Sequence, residues 1–297
     1  MSLFHHLSIM NKARGNGTLF PSVGQQTTEA PLGSSEAPIG SSWWQRLSKE
    51  VYWFRHSTHN LSLQDWPVMH IVHLTDIHLR DEGPFLDRVI VEVTGLQPDL
   101  IVLTGDLITK GWTHRAIERF LMSLGDVPKL AIVGNWEHWV GGNLHDWKQL
   151  LYKYGVQLLI EEVITITIKQ VAIQVIGTDD HLAGQSNPNA LLSQLNAGPT
   201  LCLTHSPAHF NAMAQPPVDL VLAGHAHGGQ VRIPKLGALW VPKGTDEYIA
   251  GWYNHNNTHL FVSRGMGWSV APLRWHCPPE IAHIFIHPTS TSVDPTE

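Results

Sequence analysis

Short apolar runs alternate with longer amphipathic stretches in the chain from residue 68 onward. The runs at 68–74, 100–103 and 130–133 are apolar at nearly every position, which is typical of strands buried on both faces of a parallel sheet. The stretches at 84–96 and 112–124 place their apolar residues at helical spacing. This alternation predicts a parallel α/β arrangement of strands and helices.

The pattern changes after the next helix, which we predict at 143–154. The segment 163–176 indicates a β-hairpin that turns at Lys169 and Gln170, and further strand-like runs follow it without long helices between them. These runs lie at 201–203, 220–223, 259–262 and 281–286. Because each sheet must bury an apolar face, the pattern predicts two sheets packed face to face with helices outside.

The chain divides into four predicted segments. Residues 1–42, rich in small and polar residues, predict a disordered tail, and 288–297 predicts a loose C-terminal tail. Residues 68–287 form the predicted domain, and 43–67 form an arm that either packs against this domain or lies on a membrane surface through residues 43–66. The aromatic and basic residues of the arm are Trp43, Trp44, Arg46, Lys49, Trp53, Phe54, Arg55 and Trp66.

The composition favours a single folded domain. Of the 297 residues, 43% are hydrophobic and 15% are charged, as expected for one large buried core. The net charge of −6, with no cluster of lysine or arginine, disfavours a nucleic acid as the main partner. The chain has no apolar run of transmembrane length and its N-terminus lacks the apolar core of a signal peptide, so we expect a cytoplasmic protein, peripheral to the membrane if the arm binds a bilayer.

Histidine is unusually frequent, with 20 residues, and it is the side chain most often recruited to hold transition metals at neutral pH. Residues that can bind a metal follow successive apolar runs: Asp76, His78, Asp106, Asn135, His205, His225 and His227. Any one of them has an ordinary explanation, because an Asp after a strand is commonly a turn former or a helix cap. Together they are expected at one edge of the sheets, where α/β proteins place their sites.

In this order, Asp-x-His, Gly-Asp, Gly-Asn, a lone His and Gly-His-x-His resemble the calcineurin-like metallophosphoesterase family. The resemblance runs from about 68 to 286 and leaves the first 45 residues outside. The segments 224–230, 263–265 and 278–280 are similar to the subgroup typified by the YkuE and YaeI phosphodiesterases. The resemblance implies an α/β fold, a four-layer α/β/β/α sandwich of two mixed sheets.

The resemblance also implies a centre of two divalent metals. One metal is expected on Asp76, His78 and His227, the other on Asn135, His205 and His225, with the carboxylate of Asp106 bridging them. Mixed carboxylate and imidazole donors suit Mn, Fe or Zn. Two such ions clamp the attacking and departing oxygens of a phosphoryl transfer and lower the pKa of bound water to about 7.

One departure from the family pattern concerns the proton donor. The family usually has Gly-Asn-His-Asp or Gly-Asn-His-Glu, whose histidine binds phosphate or protonates the leaving oxygen, whereas Trp136 stands at that position here. Either His138 supplies the proton instead, or the leaving group is acidic enough to depart unprotonated; His138 as a plain surface residue is the ordinary interpretation. A missing general acid costs typically about 10²- to 10⁴-fold, which favours phosphodiesters or diphosphates over alkyl monoesters.

Other candidate residues have two interpretations each. Arg264 either grips a phosphate oxygen or pairs with a structural carboxylate. Asp179 and Asp180 either orient a histidine or form a plain turn. Several tryptophans near the motifs either line an apolar substrate groove or belong to the core: Trp136, Trp139, Trp240, Trp252 and Trp268.

These observations predict a hydrolase that depends on two metals, with Asp106, His138 and Arg264 as candidate catalytic residues. The predicted substrate is a phosphodiester or diphosphate of a phosphorylated small molecule or lipid, lipid-linked or nucleotide-linked. A nuclease or cyclic-nucleotide phosphodiesterase is the alternative enzyme, and it would need a basic or nucleobase-binding groove. A non-catalytic metal-binding scaffold is the alternative from another class. The sequence leaves the oligomeric state open.

Overall fold

A computed structural model of the protein describes residues 27–28, 49–269 and 271–289. The predicted tails therefore lie almost wholly outside the described residues, as do Trp43 and Trp44 of the predicted arm. The structure confirms the predicted fold class. Two mixed sheets lie face to face, and helices cover their outer surfaces.

The strands and helices are numbered here in chain order. The strands are β1 (Thr27–Thr28), β2 (Arg55–Leu63), β3 (Met69–Leu74), β4 (Leu100–Thr104), β5 (Lys129–Ile132), β6 (Val156–Leu158), β7 (Glu162–Ile168), β8 (Val171–Gly177), β9 (Thr200–Leu203), β10 (Leu220–Ala223), β11 (Arg232–Ile233), β12 (Gly237–Ala238), β13 (Gly251–His255), β14 (Thr258–Val262) and β15 (Glu280–Pro288). The α-helices are α1 (Pro84–Val93), α2 (His114–Ser123), α3 (Asn135–Val140), α4 (Leu144–Lys153), α5 (Pro188–Leu192) and α6 (Phe210–Met213).

The first sheet has the strand order β1-β2-β15-β3-β4-β5-β6. Strands β3 to β6 are parallel, as the alternation of apolar runs and helices predicts. The last strand, β15, is antiparallel to β3 and parallel to β2, so the sheet is mixed. The C-terminal strand therefore lies in the middle of the sheet, next to the first predicted strand.

The second sheet has the order β13-β14-β10-β9-β8-β7. Its central strands β8, β9, β10 and β14 are parallel, while β7 and β13 are antiparallel edge strands. The predicted hairpin corresponds to β7 and β8, which are joined by Lys169 and Gln170, and both of these residues have positive φ. Positive φ at both central residues is the conformation that a tight two-residue hairpin turn requires.

The core lies in three layers that follow from the apolar pattern. Between the sheets, Ile71, Val102 and Leu203 belong to one buried cluster. On the outer face of the first sheet, Phe120 belongs to a second cluster that joins the sheet to α1, α2 and α4. On the outer face of the second sheet, Phe210 belongs to a third cluster that includes residues of α5 and α6. Both faces of both sheets are thus buried.

Strand β2 lies within the predicted arm and is part of the sheet rather than an arm on its surface. It pairs with β15 along its whole length, and Leu61 and Leu63 face the core between the sheets. Phe54 and Trp66, on either side of it, are buried, and Nε1–H of Trp66 donates to Asp219. Because many residues of β2 are polar, the sequence pattern did not indicate this strand. Among the described residues, no helix has the length and apolar character needed to cross a bilayer.

Helix α2 offers a direct test of the outer core. Phe120→Ala should lower the free energy of unfolding by about 3–5 kcal/mol, because Phe120 is fully buried between α2 and the first sheet. Met122→Ala, on the exposed face of the same helix, should change it by less than about 0.5 kcal/mol. Urea unfolding followed by circular dichroism measures both, and equal effects would contradict this packing.

Candidate metal centre

The loops that follow the parallel strands of both sheets converge at one edge of the molecule. Asp76 and His78 follow β3, Asp106 follows β4 and Asn135 begins α3 just after β5. From the second sheet, His205 follows β9, and His225 and His227 follow β10. All seven predicted ligands are buried. The structure therefore brings together the side chains that the sequence places after successive strands.

The first group of candidate ligands consists of Asp76, His78 and His227, whose ligand atoms lie within 4.8 Å of one another. Nε2 of His227 lies 3.1 Å from Nε2 of His78 and 3.3 Å from Oδ1 of Asp76. Asp76 is held in place because its carboxylate accepts the backbone N–H of His225 and the hydroxyl of Thr75. This group joins a loop of the first sheet to a loop of the second.

The second group consists of Asp106, His205 and His225, also within 4.8 Å. Nε2 of His205 lies 3.3 Å from Oδ2 of Asp106 and 3.2 Å from Nδ1 of His225. Asn135 adds a buried side-chain oxygen, Oδ1, which has no hydrogen-bond partner among the described residues. A buried acceptor without a donor is costly unless a cation or water satisfies it.

Asp106 connects the two groups. Its Oδ2 lies 3.3 Å from Nε2 of His205 and 3.7 Å from Nε2 of His78. Its other oxygen, Oδ1, accepts the backbone N–H of Trp136 at 2.8 Å, which fixes the orientation of the carboxylate. One oxygen of Asp106 therefore faces ligands of both groups.

Backbone carbonyls determine which histidine nitrogens face the centre. Nδ1–H of His205 donates to the carbonyl of Thr104 at 2.8 Å, and Nε2–H of His225 donates to the carbonyl of Lys243 at 2.6 Å. In the neutral rings the opposite nitrogens are then unprotonated, and these are the two that approach within 3.2 Å. Two lone pairs at this distance repel each other, so the pair fits a shared cation. Carboxylate, amide and imidazole donors together match a centre for divalent transition metals.

Burial and neighbouring carboxylates shift the pKa values of the candidate ligands in both directions. Burial lowers the pKa of His78 and of His225 to about 4, which keeps both rings neutral. Burial, together with the charge of Asp106, raises the pKa of Asp76 to about 6. Burial by itself would lower the pKa of His205, but the carboxylates of Asp106 and Asp76 outweigh burial and raise this pKa. Burial and the charge of Asp106 disfavour the charged form of Asp76, and a cation bound beside it would oppose both effects.

The ligand loops have strained backbone. Five of the seven candidate ligands have positive φ, between 49° and 66°: Asp76, His78, Asp106, His225 and His227. A non-glycine residue in this region costs roughly 1 kcal/mol or more, and such strain concentrates at functional sites. Neighbouring glycines allow the loops to approach closely, since a Cβ on Gly224 would lie 2.4 Å from Oδ2 of Asp76.

Glu137 is a residue whose role the sequence analysis missed. Its buried carboxylate accepts the backbone N–H groups of Asp106, Leu107 and Gly134 at 2.8 Å each, and that of Ile108 at 3.3 Å. It thereby joins the loop after β4 to the loop after β5. Burial and the charge of Asp106 raise the pKa of Glu137 to about 7. The sequence signal that could have identified Glu137 is its position two residues after Asn135.

His138 and Asp179, both singled out from the sequence, form a pair. Nε2–H of His138 donates to Oδ1 of Asp179 at 2.6 Å, and backbone N–H groups of Asp180 and Gln185 also fix this carboxylate. His138 lies one helical turn after Asn135 on α3, so both side chains are on the same side of the helix. Asp179 thus both orients a histidine and organises a turn.

Arg264 pairs with a structural carboxylate, which is the second of the two roles considered for it from the sequence. Its guanidinium lies 3.0 Å from Oε1 of Glu280, and its backbone N–H donates to Oε2 at 2.8 Å. Glu280 is buried. Burial by itself would raise the pKa of Glu280, but the charge of Arg264 and its N–H group outweigh burial and lower the pKa to about 2.

Arg274, which lies in no recognised motif, organises the loop beside Asp76. Its fully buried guanidinium donates to the carbonyls of Arg264, Gly265, Gly267 and Cys277. The backbone N–H of Gly267 in turn donates to the carbonyl of Asp76. Nothing in the sequence pattern identified this residue, because its carbonyl partners become neighbours only in the fold.

Among the five tryptophans, Trp136 borders the centre, where it meets His78 edge to face with the two ring centroids 5.8 Å apart. The exposed Trp139 contacts Trp136, and Trp240 is also exposed. Trp252 packs against Phe261, and Trp268 packs against Phe85, so these two contribute to packing.

Comparison with known proteins agrees with this geometry. Residues 69–229 match the family described as calcineurin-like phosphoesterase. The chain is 33% identical to the uncharacterized metallophosphoesterase YkuE of Bacillus subtilis (strain 168), over 71% of this chain and 76% of that protein. It is 31% identical to phosphodiesterase YaeI of Escherichia coli (strain K12), over 78% and 88%. It is 24% identical to UDP-2,3-diacylglucosamine pyrophosphatase LpxG of Chlamydia muridarum (strain MoPn / Nigg), over 72% and 82%.

The pair of Arg264 and Glu280 yields a prediction about stability and pH. Because the pKa of Glu280 falls from 4.5 to about 2 on folding, its charged form contributes roughly 3 kcal/mol of stability at pH 7. Glu280→Gln should remove most of this contribution. The difference between wild type and variant should shrink as pH falls from about 5 towards 2, since protonation of Glu280 removes the same charge.

Urea unfolding of both proteins across this pH range measures the difference. Glu162→Gln is the matched control, because Glu162 forms an exposed ion pair with Lys148 that should contribute less than about 1 kcal/mol. A difference between wild type and Glu280→Gln that stays constant with pH would contradict the assigned charge.

Proposed function

The chain belongs to the calcineurin-like phosphoesterase family, and from this premise we propose that it hydrolyses a phosphodiester or diphosphate bond at the centre described above. A metal-dependent phosphoesterase activity agrees with the names of its relatives. The observation that supports the proposal most strongly is the position of Oδ2 of Asp106 between the two ligand groups.

We assign the ligands to two divalent cations. Asp76, His78 and His227 would hold one cation, Asn135, His205 and His225 would hold the other, and Asp106 would contribute to both. The mixture of nitrogen and oxygen donors selects Mn, Fe or Zn over magnesium or calcium. When bound, such cations polarise the phosphoryl group and lower the pKa of water so that hydroxide is available at neutral pH.

The charge of the ligand set suits an anionic substrate. Only Asp76 and Asp106 among the seven ligands carry negative charge, while Asn135 and the histidines are neutral donors. The loaded centre therefore keeps net positive charge and attracts phosphate oxygens. The carbonyls of Thr104 and Lys243 keep His205 and His225 in the orientation that this role requires.

His138 takes the place of the histidine that Trp136 replaces. Because Nε2–H of His138 is bonded to Asp179, its Nδ1 is the nitrogen that delivers a proton to the leaving oxygen. The carboxylate of Asp179 fixes the orientation of the ring. The charge of the neighbouring Asp180 acts on both His205 and His225, although burial outweighs it at His225, and this interaction supports a position of the loop beside the second ligand group.

The substrate class follows from the chemistry of the leaving group. A nucleoside phosphate or phenolate departs with little help, whereas an alkoxide depends on the proton from His138, so diphosphates and phosphodiesters with acidic leaving groups depend least on this single donor. The similarity to proteins named phosphodiesterase and UDP-2,3-diacylglucosamine pyrophosphatase supports a nucleotide-linked or lipid-linked substrate for this chain.

Asp106→Asn tests the shared ligand. The variant should lose about 100-fold or more in turnover of bis-p-nitrophenyl phosphate with manganese, because the bridging charge is removed. It should also bind less metal, as measured by elemental analysis. Asp146→Asn, on the exposed side of α4, is the control and should behave as wild type.

Near-normal turnover by Asp106→Asn would count heavily against the mechanism. Wild-type protein that binds two metals but cleaves no phosphodiester, diphosphate or cyclic nucleotide would favour the non-catalytic scaffold instead.

His138→Gln tests the proton donor. It should slow cleavage of alkyl esters by about 10²-fold or more but affect p-nitrophenyl esters much less, because p-nitrophenolate departs unprotonated. His145→Gln, on the exposed surface of α4, is the control. If His138 does not donate the proton, Trp136→His should instead raise alkyl monoester cleavage selectively. If His138→Gln slows both ester classes equally, His138 has only a structural role.

A further inference from the structure

A hairpin beside the metal centre exposes apolar side chains. Strands β11 and β12 pair, and we call residues 231–243, which include this pair, the basic hairpin. Leu236 is 65% exposed, Leu239 is 49% exposed and Trp240 is 55% exposed. Three large apolar side chains within five residues are an unusual surface for a loop that has no covering partner among the described residues.

The charge of the basic hairpin differs from that of the rest of the chain. Residues 231–243 include Arg232, Lys235 and Lys243 and no acidic residue, whereas the whole chain has a net charge of −6. Lys235 and Lys243 are exposed, and neither forms an ion pair within the part of the chain that the structure describes. The hairpin is therefore a cationic and apolar patch on an acidic protein.

The basic hairpin is connected rigidly to the candidate ligands. The carbonyl of Lys243 accepts Nε2–H of His225 at 2.6 Å, and Nη1–H of Arg232 donates to the carbonyl of Gly228 at 2.9 Å. Ala238 packs closely against Gly229: a Cβ atom added to Gly229 would lie 2.2 Å from Cβ of Ala238. Any surface that binds the hairpin is therefore held next to the metal centre.

We propose that the basic hairpin docks on the surface of an anionic phospholipid bilayer and holds the metal centre there. Leucine and tryptophan enter the boundary between headgroups and acyl chains, while lysine side chains extend to the lipid phosphates. Charge complementarity favours this occupant over a symmetric contact between two hairpins, because two identical cationic patches repel each other whereas an anionic lipid surface attracts the patch.

The docking site differs from the predicted membrane contact through residues 43–66. Phe54 and Trp66 of that segment are buried in the domain, whereas the apolar residues of the basic hairpin are exposed. Docking through the hairpin presents lipid-linked phosphate esters to the centre, and this consequence rests on the proposed function. Vesicle binding itself does not depend on turnover.

Sedimentation of the full chain with vesicles tests the proposal. Wild type should bind vesicles of phosphatidylcholine mixed with phosphatidylglycerol, bind pure phosphatidylcholine much more weakly, and dissociate as salt is raised. Leu236→Ser with Leu239→Ser should weaken binding about tenfold or more, because the inserted apolar area is lost. Lys235→Gln should weaken it about fivefold, because one lysine near an anionic lipid surface contributes about 1 kcal/mol.

Val91→Ser with Met122→Ser is the matched control. These residues are 65% and 64% exposed on α1 and α2, outside the hairpin, and their replacement should leave vesicle binding unchanged. All variants should retain turnover of bis-p-nitrophenyl phosphate in solution, which separates failed docking from failed catalysis.

Two results would overturn the proposal. The first is wild-type protein that does not bind anionic vesicles, including the case in which ultracentrifugation shows the leucines to mediate self-association instead. The second is a hairpin variant that binds vesicles as tightly as wild type, which would place the bilayer contact elsewhere in the chain.

Discussion

The position of one carboxylate oxygen, Oδ2 of Asp106, is the constraint on which the rest of the centre depends. It lies within reach of histidines from both ligand groups, so the loops of the two sheets must end at the same place. Parallel strands in each sheet achieve this, because their carboxyl ends share one edge. The parallel strands of the two sheets thus bring together seven residues that are distant in the sequence.

The protein maintains this arrangement at a cost in local stability. Five ligands have positive φ, and buried carboxylates lie close to one another. Residues that touch no ligand atom offset the strain: Glu137 binds the N–H groups of two ligand loops, and Arg274 binds the carbonyls of the loop beside Asp76. These two side chains fix the positions of the loops that carry the two ligand groups.

Most of the regular structure could be predicted from the sequence. Strands β3, β4, β5, β9 and β10 are short apolar runs that are buried on both faces, so their residue types alone indicate strands. Strand β2 could not be predicted in this way, because its outer face is polar and its partner, β15, lies more than 200 residues later in the chain. Pairing between distant segments provides the hydrogen bonds that local composition does not indicate.

The sequence by itself determined the identity and order of the candidate ligands, because donor chemistry and the ends of strands are local properties. Only the tertiary structure decided the partners of the neighbouring charged groups. The sequence left two partners open for Arg264, a phosphate or a carboxylate, and the fold places Glu280 beside it. The sequence indicated no partner for His138, and the fold places Asp179 at 2.6 Å from it. An ion pair depends on distances of a few ångströms between remote segments, and those distances exist only after the sheets have packed.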